Sequence, residues 1–585
     1  MLSAVNNFQL HFLDYLAFGT YLLIVCGIGF WAGRKTKSDS EDYFLAGRSL
    51  PWYVIGASYI AANISTEHFI GMIGATYIFG ISVAMYEWGN INSFSVLIWL
   101  FIPFLLATRV FTIPEFLEKR FNIILRQFFA CLSVVSNVFA FLAAVLYGGG
   151  VALQTLFGWR IEIAIIALGA VTGTWAIYGG LKSVAWMDLF TLIIMIFGGI
   201  MVAILGLYML SGDEHSLVKG WQTMIEANKA NSGVWAQAVS QNARNMAASD
   251  TYNRLSVIQP ATHIVVPWPS LIYGFLAIGI WYTVLNQFMI QRVFGAKNMY
   301  HARMGIVFAG YMKILMPVIV VVPGLILFAV SPEIMLKPWE EIRPAADQSY
   351  VRMLQMVVPI GLRGLFLAAL FGAIQSTVNA VLNSTATIVT LDIYKRMINK
   401  KASEKKLVTI GIISSISIII ISILMAGIIS KMQLGLFMYI QILYAFFAPP
   451  FAAIFLLGIL YNRINSKGAT AAVFSGFAFG ILLKVYLALC PNLLGAAIYD
   501  LVVPFGNQAL LSWLFSVIVC LTVSLVTAPP KPEQVSDNLT LNWKKMNIFG
   551  ELGDKWYKSV ILWWSLFAAC IAALILTFSQ IVFGK

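Results

Sequence analysis

Fourteen apolar runs, most of them 20 residues or longer, follow one another along this chain of 585 residues. A helix needs about 20 largely apolar residues to cross a lipid bilayer. The alternating segments of about ten residues that indicate membrane-spanning strands do not occur. The sequence therefore predicts an all-α membrane protein with about fourteen transmembrane helices. The predicted helices span residues 15–33, 52–75, 79–107, 127–157, 160–180, 184–211, 268–293, 305–330, 356–391, 407–428, 433–460, 469–490, 506–528 and 559–582.

The charge content separates this chain from soluble proteins. Only 11% of the residues are charged and 60% are hydrophobic, whereas soluble domains carry about 25% charged residues. The formal net charge is +13, but Lys and Arg form no basic stripe with interleaved aromatic residues. We therefore expect a lipid bilayer, and no nucleic acid, as a partner.

The positions of Lys and Arg predict the orientation of the chain. Seven alternate loops between the predicted helices hold 25 of the 38 Lys and Arg residues. The positive-inside rule assigns these loops to the inner side, so both termini and the long segment 212–267 are expected outside. Arg34 and Lys35 follow the first apolar run rather than precede it, so we expect a retained helix there. The predicted location is the cell (inner) membrane.

Two stretches of small and polar residues interrupt the apolar runs, at residues 56–68 and 372–379. Ala373, Ser376 and Thr377 have helical i, i+3, i+4 spacing, which places a carbonyl and two hydroxyls on one face. Carbonyls of an unwound segment between Ala61 and Ile64 would complete a set of neutral oxygens suited to Na⁺. The alternative is that both hydroxyls bond to their own helix.

Ionisable residues inside predicted helices indicate either a functional site or a structural ion pair. Glu87, Lys313 and Asp188 are of this kind. A sugar site needs several hydrogen-bonding groups and an apolar face, although isolated polar residues in helices are often satisfied core residues. The polar candidates are His68, Glu87, Asn90, Lys313 and Gln441. Tyr282 and Phe437 offer aromatic faces against which a sugar ring can pack, and Met72 and Tyr86 are bulky side chains suited to closing the site. No nucleophile–base pair or metal-ligand cluster indicates an enzyme.

Several longer motifs, in the same order, resemble the sodium/sugar branch of the sodium:solute symporter family over residues 40–480. The motifs are Tyr43–Arg48, Ile60–Ser65, Tyr86–Trp88, Thr112–Phe116, Asn383–Thr387 and Tyr439–Gln441. The resemblance implies a five-plus-five inverted-repeat, broken-helix transporter core. It implies five divisions of the chain. Residues 1–51 form an extra helix and an inner loop, residues 52–211 the first repeat, residues 212–267 an external loop, residues 268–461 the second repeat, and residues 462–585 three further helices.

The resemblance also implies roles for individual residues. It implies a co-transported sodium ion at Ala61, Ile64, Ala373, Ser376 and Thr377. It implies solute contacts at His68, Glu87, Asn90, Gly279, Lys313 and Gln441, an inner gate at Tyr282, and outer gates at Met72, Tyr86 and Phe437.

Departures from the family pattern refine these expectations. His68, Asn90 and Gly279 differ from the galactose-binding pattern, so glucose, galactose, myo-inositol and sialic acid stay open as solutes. The alternative from another functional class is a solute sensor that has a transporter scaffold but does not transport. A second sodium site of some members would need hydroxyls where this chain has Asn379 and Ala380. We therefore expect one sodium ion per solute, with Asp188 on the sodium exit route.

Overall fold

A computed structural model describes residues 10–34, 39–248, 252–271, 275–429, 436–541 and 549–579. Helices form nearly all of the regular structure in these residues. We number the membrane helices α1 (Phe12–Gly33), α2 (52–79), α3 (80–107), α4 (Ile123–Phe157), α5 (161–179), α6 (Gly180–Leu210), α7 (275–294), α8 (Met299–Val330), α9 (Arg363–Ile398), α10 (Glu404–Ile429), α11 (Leu436–Leu460), α12 (Ser466–Leu489), α13 (Phe505–Val526) and α14 (Val560–Thr577).

Eleven of the helical stretches in the described residues are long and apolar enough, without interruption, to cross a membrane. The other three predicted helices are α2 and α7, which are broken, and α5, which has a shorter apolar stretch at Ile161–Thr174. Each of the fourteen predicted helices therefore corresponds to a helical segment. An all-α membrane fold is confirmed.

Some predicted boundaries are wrong. The helix predicted at 356–391 lies at Arg363–Ile398, and a separate helix, Ser349–Val357, precedes it. The loop predicted at 181–183 is helical, and α5 turns into α6 at Gly180 alone, with φ 58° and ψ −159°. A Cβ atom at Gly180 would lie 2.3 Å from the Tyr43 carbonyl oxygen. Glycine is required there because the turn needs a positive φ and has no room for a side chain.

The breaks in α2 and α7 have the same backbone form. In α2, Trp52–Asn63 ends at Ile64, which is extended with φ −71° and ψ 112°. In α7, the first half ends at Asn286, with φ −73° and ψ 116°. The Ser65 hydroxyl accepts a hydrogen bond from the Glu67 amide, which satisfies a backbone donor where the second half of α2 begins. Carbonyl oxygens at such breaks are free to face a cavity instead of their own helix.

The two broken helices begin the two halves of the core. Helices α2–α6 and α7–α11 each contain five members and each open with a broken helix. This is the predicted five-plus-five broken-helix fold. The two breaks lie near each other, because Asn63, beside the break in α2, donates a hydrogen bond to the hydroxyl of Tyr282, four residues before the break in α7.

Candidate functional site

A closed polar cavity lies beside the helix breaks, among α2, α3, α7, α8 and α11. Its lining combines charged, amide and aromatic side chains, the mixture typical of small-molecule sites. All of the predicted solute-contact and gate residues line it: His68, Met72, Tyr86, Glu87, Asn90, Gly279, Tyr282, Lys313, Phe437 and Gln441. The structure thus brings together residues that are up to 373 positions apart in the chain.

The cavity floor contains a buried ion pair. Lys313 Nζ lies 2.7 Å from Glu87 Oε2, and both residues are buried. The ammonium group also donates to Asn63 Oδ1. His68 Nε2 lies 3.2 Å from the second oxygen of Glu87. Because the ammonium and the carboxylate neutralise each other and have further hydrogen-bond partners, the pair can remain ionised away from water.

The orientation of His68 is fixed by its own helix. Its Nδ1 accepts a hydrogen bond of 3.4 Å from the Ser65 amide. The proton of a neutral imidazole is then on Nε2, which faces Glu87. The break in α2 therefore sets which ring nitrogen faces the carboxylate.

Two further hydrogen bonds cross the cavity between different helices. Gln441 Nε2 on α11 donates to Glu67 Oε1 on α2 over 2.9 Å. Asn63 Nδ2 donates to the Tyr282 hydroxyl over 2.5 Å. The Tyr282 ring also packs edge-on against Tyr444, with ring centroids 5.7 Å apart. Tyr282 is thus held on one side by a polar contact and on the other by an aromatic contact.

Two aromatic side chains cover one side of the cavity. The Tyr86 and Phe437 rings meet edge to face with centroids 4.8 Å apart. The Tyr86 hydroxyl donates to the Val265 carbonyl oxygen over 2.9 Å, so the segment before α7 holds this ring in place. Asn90 lines the cavity, but its amide nitrogen donates to the Tyr86 carbonyl oxygen over 2.6 Å. Its oxygen accepts from the Ser93 hydroxyl over 3.5 Å, so both ends of the Asn90 amide have partners on α3.

The sequence prediction omitted several residues of this cavity. Asn63 connects Lys313 to Tyr282, and Glu67 holds Gln441. Both belong to the polar stretch 56–68, so their position in that stretch was a usable signal. Met85, Ile278 and Tyr444 also line the cavity, but such apolar and aromatic residues do not stand out in a chain where 60% are hydrophobic.

Of the predicted sodium ligands on α9, Thr377 contacts the backbone at the break in α2. Thr377 Oγ1 on α9 lies 3.2 Å from the carbonyl oxygens of both Ala62 and Ile64. Ala61 and Ala373 are also buried. The Ser376 hydroxyl donates instead to Asp188 Oδ1 over 2.6 Å. Helix α9 thus presents the Thr377 hydroxyl to the unwound backbone and the adjacent Ser376 hydroxyl to the carboxylate of α6.

The loop between α3 and α4 makes contacts at one end of the core. The Gln287 side-chain nitrogen on α7 donates to the Phe111 carbonyl oxygen over 2.9 Å, and its side-chain oxygen accepts from the Ile113 amide over 3.2 Å. In the same loop, the Thr112 hydroxyl donates over 3.0 Å to Asp392 Oδ1 on α9, which also lies 2.7 Å from Arg126 Nη2. This loop therefore connects α7 to α9.

Two broken helices beside a closed polar cavity define a secondary transporter of the broken-helix class. The sequence matches the sodium:solute symporter family over residues 43–476. The chain belongs to this family, which confirms the resemblance seen in the motifs. It is therefore a multi-pass membrane transporter that uses sodium, and not an enzyme.

Named relatives and a solved structure agree with this assignment. The chain is 33% identical to the sodium/glucose cotransporter of Vibrio parahaemolyticus, over 92% of this chain and 96% of that protein. It is 34% identical to the human sodium/myo-inositol cotransporter, over 92% of this chain and 76% of that protein. Its fold is similar to that of a Na⁺-coupled sialic acid symporter solved in a substrate-bound outward-open state, with a TM-score of 0.67 and 20% sequence identity. The match covers 89% of this chain and 100% of that chain.

Proposed function

We propose that this protein imports a small neutral polyhydroxylated solute, such as glucose or galactose, together with sodium by alternating access. The observation that carries the proposal is the closed polar cavity with its internal ion pair. Lys313 neutralises Glu87, and the Gln441 amide donates to the Glu67 carboxylate. A neutral solute with several hydroxyls can exchange hydrogen bonds with these groups without adding a charge to the cavity.

We assign the solute contacts to His68, Glu87, Asn90, Lys313, Gln441 and Tyr282. Met72, Tyr86 and Phe437 form the outer gate in this proposal, and Tyr282 forms the inner gate. The edge-to-face contact of Tyr86 and Phe437 supports the first assignment. The aromatic contact of Tyr282 with Tyr444 supports the second, because displacement of one ring would open the cavity inward.

We assign sodium to Ala61, Ile64, Ala373, Ser376 and Thr377. The support is the Thr377 hydroxyl, which lies beside two backbone carbonyl oxygens at the break in α2. Sodium there joins α2 to α9 and thereby organises the half of α2 that carries His68. A ligand shifts a conformational equilibrium only by its different affinity for the two states. Sodium should therefore raise solute affinity, and solute should raise sodium affinity by the same factor.

We further propose the cell (inner) membrane as the location, with both termini outside, and 52–211 and 268–461 as the two repeats. The loop charges support the orientation. The matching breaks at Ile64 and Asn286 support the repeat boundaries, because each break lies at the same place in its five-helix unit.

The test is sodium-driven uptake into proteoliposomes with a panel of sugars, inositols, amino acids and sialic acid. We expect a neutral polyol to accumulate only with an inward sodium gradient. Gln441→Ala and Ser376→Ala should both abolish uptake, since each removes a group assigned to a site. Normal uptake by both variants would overturn the site assignment, and uptake without sodium would overturn the coupling.

Myo-inositol is the second candidate solute, and the inositol cotransporters among the relatives favour it. It is also neutral and carries hydroxyls all around its ring, so the same cavity chemistry suits it. The solute panel distinguishes myo-inositol from the sugars by how strongly each unlabelled solute competes with uptake of a labelled sugar. A protein that binds solute but shows no counterflow would instead be a sensor.

A further inference from the structure

A pair of short helices between α8 and α9 covers the second half of α2. The two helices are Trp339–Ala346 and Ser349–Val357, and we call them the α8–α9 hairpin. The hairpin belongs to the side that we propose is outer. A Cβ atom at Gly74 on α2 would lie 2.5 Å from the Ala346 carbonyl oxygen. The hairpin therefore packs directly against the backbone of α2, at a position without a side chain.

Asp347 connects this hairpin to α11. It lies between the two hairpin helices, and only 5% of its surface is exposed. Its Oδ2 accepts a hydrogen bond of 3.0 Å from the amide of Leu436, the first residue of α11. The next residue is Phe437, which we assign to the outer gate. The Asp347 carboxylate therefore holds the hairpin and the gate ring in a fixed relative position.

The surroundings of Asp347 do not neutralise its charge. Among the described residues it forms no ion pair, and the Leu436 amide is its hydrogen-bond donor. Arg343 lines the same small cavity, but its Nε has no hydrogen-bond partner among the described residues. Arg352 in the second hairpin helix donates to Gln348 instead. Tyr147 on α4 interacts electrostatically with the carboxylate, and the residues of α2 and α11 that line the cavity are all uncharged.

We infer that Asp347 positions the proposed outer gate and makes closure of that gate depend on external protons. The inference rests on the proposed function, because it takes Phe437 as a gate residue. Opening of the gate separates the hairpin from α11 and exposes the carboxylate to water. Closure buries the carboxylate, and burial of a charge without a counter-ion is costly. A proton taken up from the outer side removes this charge and thereby favours the closed state.

The direction of the pH effect follows from the two states. Burial raises the pKa of Asp347 to about 7 in the closed state, against about 3.9 for an aspartate in water. The closed state therefore takes up a proton as the external pH falls through 7, whereas the open state stays ionised until about pH 4. Between pH 8 and pH 6, the ratio of closed to open protein should rise about tenfold.

The experiment measures how fast an external, membrane-impermeant thiol reagent modifies a cysteine beneath the hairpin. Ala75 is buried and lines the cavity between α2 and the hairpin. The variant Ala75→Cys is made in a chain whose five native cysteines are replaced by serine, and it is reconstituted into proteoliposomes without solute. Modification rates are compared at external pH 8 and pH 6, with the internal pH fixed, between the chain that keeps Asp347 and the chain that also carries Asp347→Asn.

Asp347→Asn is the matched control. Its side-chain oxygen can still accept from the Leu436 amide, but the side chain does not titrate. Because both chains carry the same Ala75→Cys substitution, the ratio of their rates at one pH cancels the pH dependence of the thiol reaction itself. We expect the ratio of the Asp347 rate to the Asp347→Asn rate to fall about tenfold from pH 8 to pH 6.

Asp347→Ala tests the positioning role separately from the charge. It is uncharged, like Asp347→Asn, but has no acceptor for the Leu436 amide. It should react about fivefold faster than Asp347→Asn at both pH values, because the gate has lost one hydrogen bond. Equal rates for these two variants would overturn the positioning role. A rate ratio between the Asp347 chain and Asp347→Asn that is the same at pH 8 and pH 6 would overturn the dependence on protons.

Two further measurements keep the outcomes distinct. A cooperative thermal unfolding transition in detergent shows that a variant is folded; Ile78→Cys, at another buried residue that lines the same cavity, replaces Ala75→Cys if the latter does not fold. Asp347→Ala likewise replaces Asp347→Asn as the reference without a titrating group. Absence of sodium-driven uptake by the native protein would contradict the proposed function, whereas a constant rate ratio beside normal uptake would contradict this inference alone.

Discussion

Lys313 on α8 and Glu87 on α3 form an ion pair of 2.7 Å that is buried inside the solute cavity. The pair joins two helices of different halves of the core at the position where the solute is proposed to bind. Asn63 extends the contact to α2, and His68 contacts the other oxygen of the carboxylate. The same residues therefore stabilise the core and are the ones that we propose offer hydrogen bonds to a solute.

The first prediction concerns the stability of this pair. Lys313→Met and Glu87→Gln should each lower the free energy of unfolding by about 3–5 kcal/mol, because each leaves one buried charge without its partner. The double variant should lose less than the sum of the two. Chemical denaturation of the purified protein in detergent measures all three differences. Additive losses would show that the two charges do not interact, and the double variant should still fail to bind solute.

The second prediction concerns sodium. Thr377→Val keeps the shape of the side chain but removes the hydroxyl that lies 3.2 Å from two carbonyl oxygens. We expect the sodium concentration at half-maximal uptake to rise about tenfold or more. A tenfold rise corresponds to the loss of about 1.4 kcal/mol of sodium-binding free energy, which we assign to this one ligand. Thr377→Ser is the matched control and should stay within about twofold of the native value. Unchanged sodium dependence in Thr377→Val would remove Thr377 from the site.

The third prediction concerns the contacts of α7 with the loop between α3 and α4, on the side that we propose is inner. Gln287→Ala removes two hydrogen bonds between α7 and residues 111–113. The amides of Gln287–Phe294 should then exchange with deuterium about tenfold faster or more, since two bonds of about 1 kcal/mol each hold this half of α7. Gln241→Ala, which removes one bond of an exposed amide to Leu336, is the control and should leave α7 unchanged. Equal protection of α7 in both variants would contradict an inner closing role for Gln287.

The fourth prediction concerns the pH dependence of the stability of the proposed external loop. His263 is fully buried there, and its Nδ1 accepts a hydrogen bond of 3.0 Å from the Val266 amide. Burial lowers the pKa of His263 to about 3, against about 6.5 in an unfolded chain. The unfolded loop therefore takes up a proton first, so the stabilisation is complete above pH 6.5 and is lost as the pH falls toward 3. Residues 252–267 should lose about 2 kcal/mol of local stability between pH 6.5 and 5.

Hydrogen exchange of residues 252–267 at pH 7 and pH 5, corrected for the intrinsic pH dependence of exchange, measures this loss. His263→Asn is the control, because its side-chain oxygen can accept from the same amides but does not titrate in this range. The variant should show no additional loss at pH 5. An equal loss in the variant and the native protein would assign the pH effect to another group.

The sequence determined the class of protein and the number of helices. Apolar length and the cost of unpaired backbone in lipid leave few alternatives to a helical bundle. The positions of Glu87 and Lys313 inside apolar runs also marked them for attention, since charges at that depth need partners. Spacing along one helix was enough to group Ser376 with Thr377, because helical geometry is local.

The tertiary structure decided which residues meet. Spacing placed the Ser376 and Thr377 hydroxyls together, yet they face different partners, Asp188 and the Ile64 carbonyl oxygen. No sequence pattern indicated that Arg292, in a predicted inner loop with other basic residues, lies buried against Asp188. Such contacts depend on how broken helices from distant parts of the chain pack, and periodicity within one helix contains no information about them. The sequence alone therefore determined the helices and the candidate polar groups, while packing across the two breaks determined the partner of each charge.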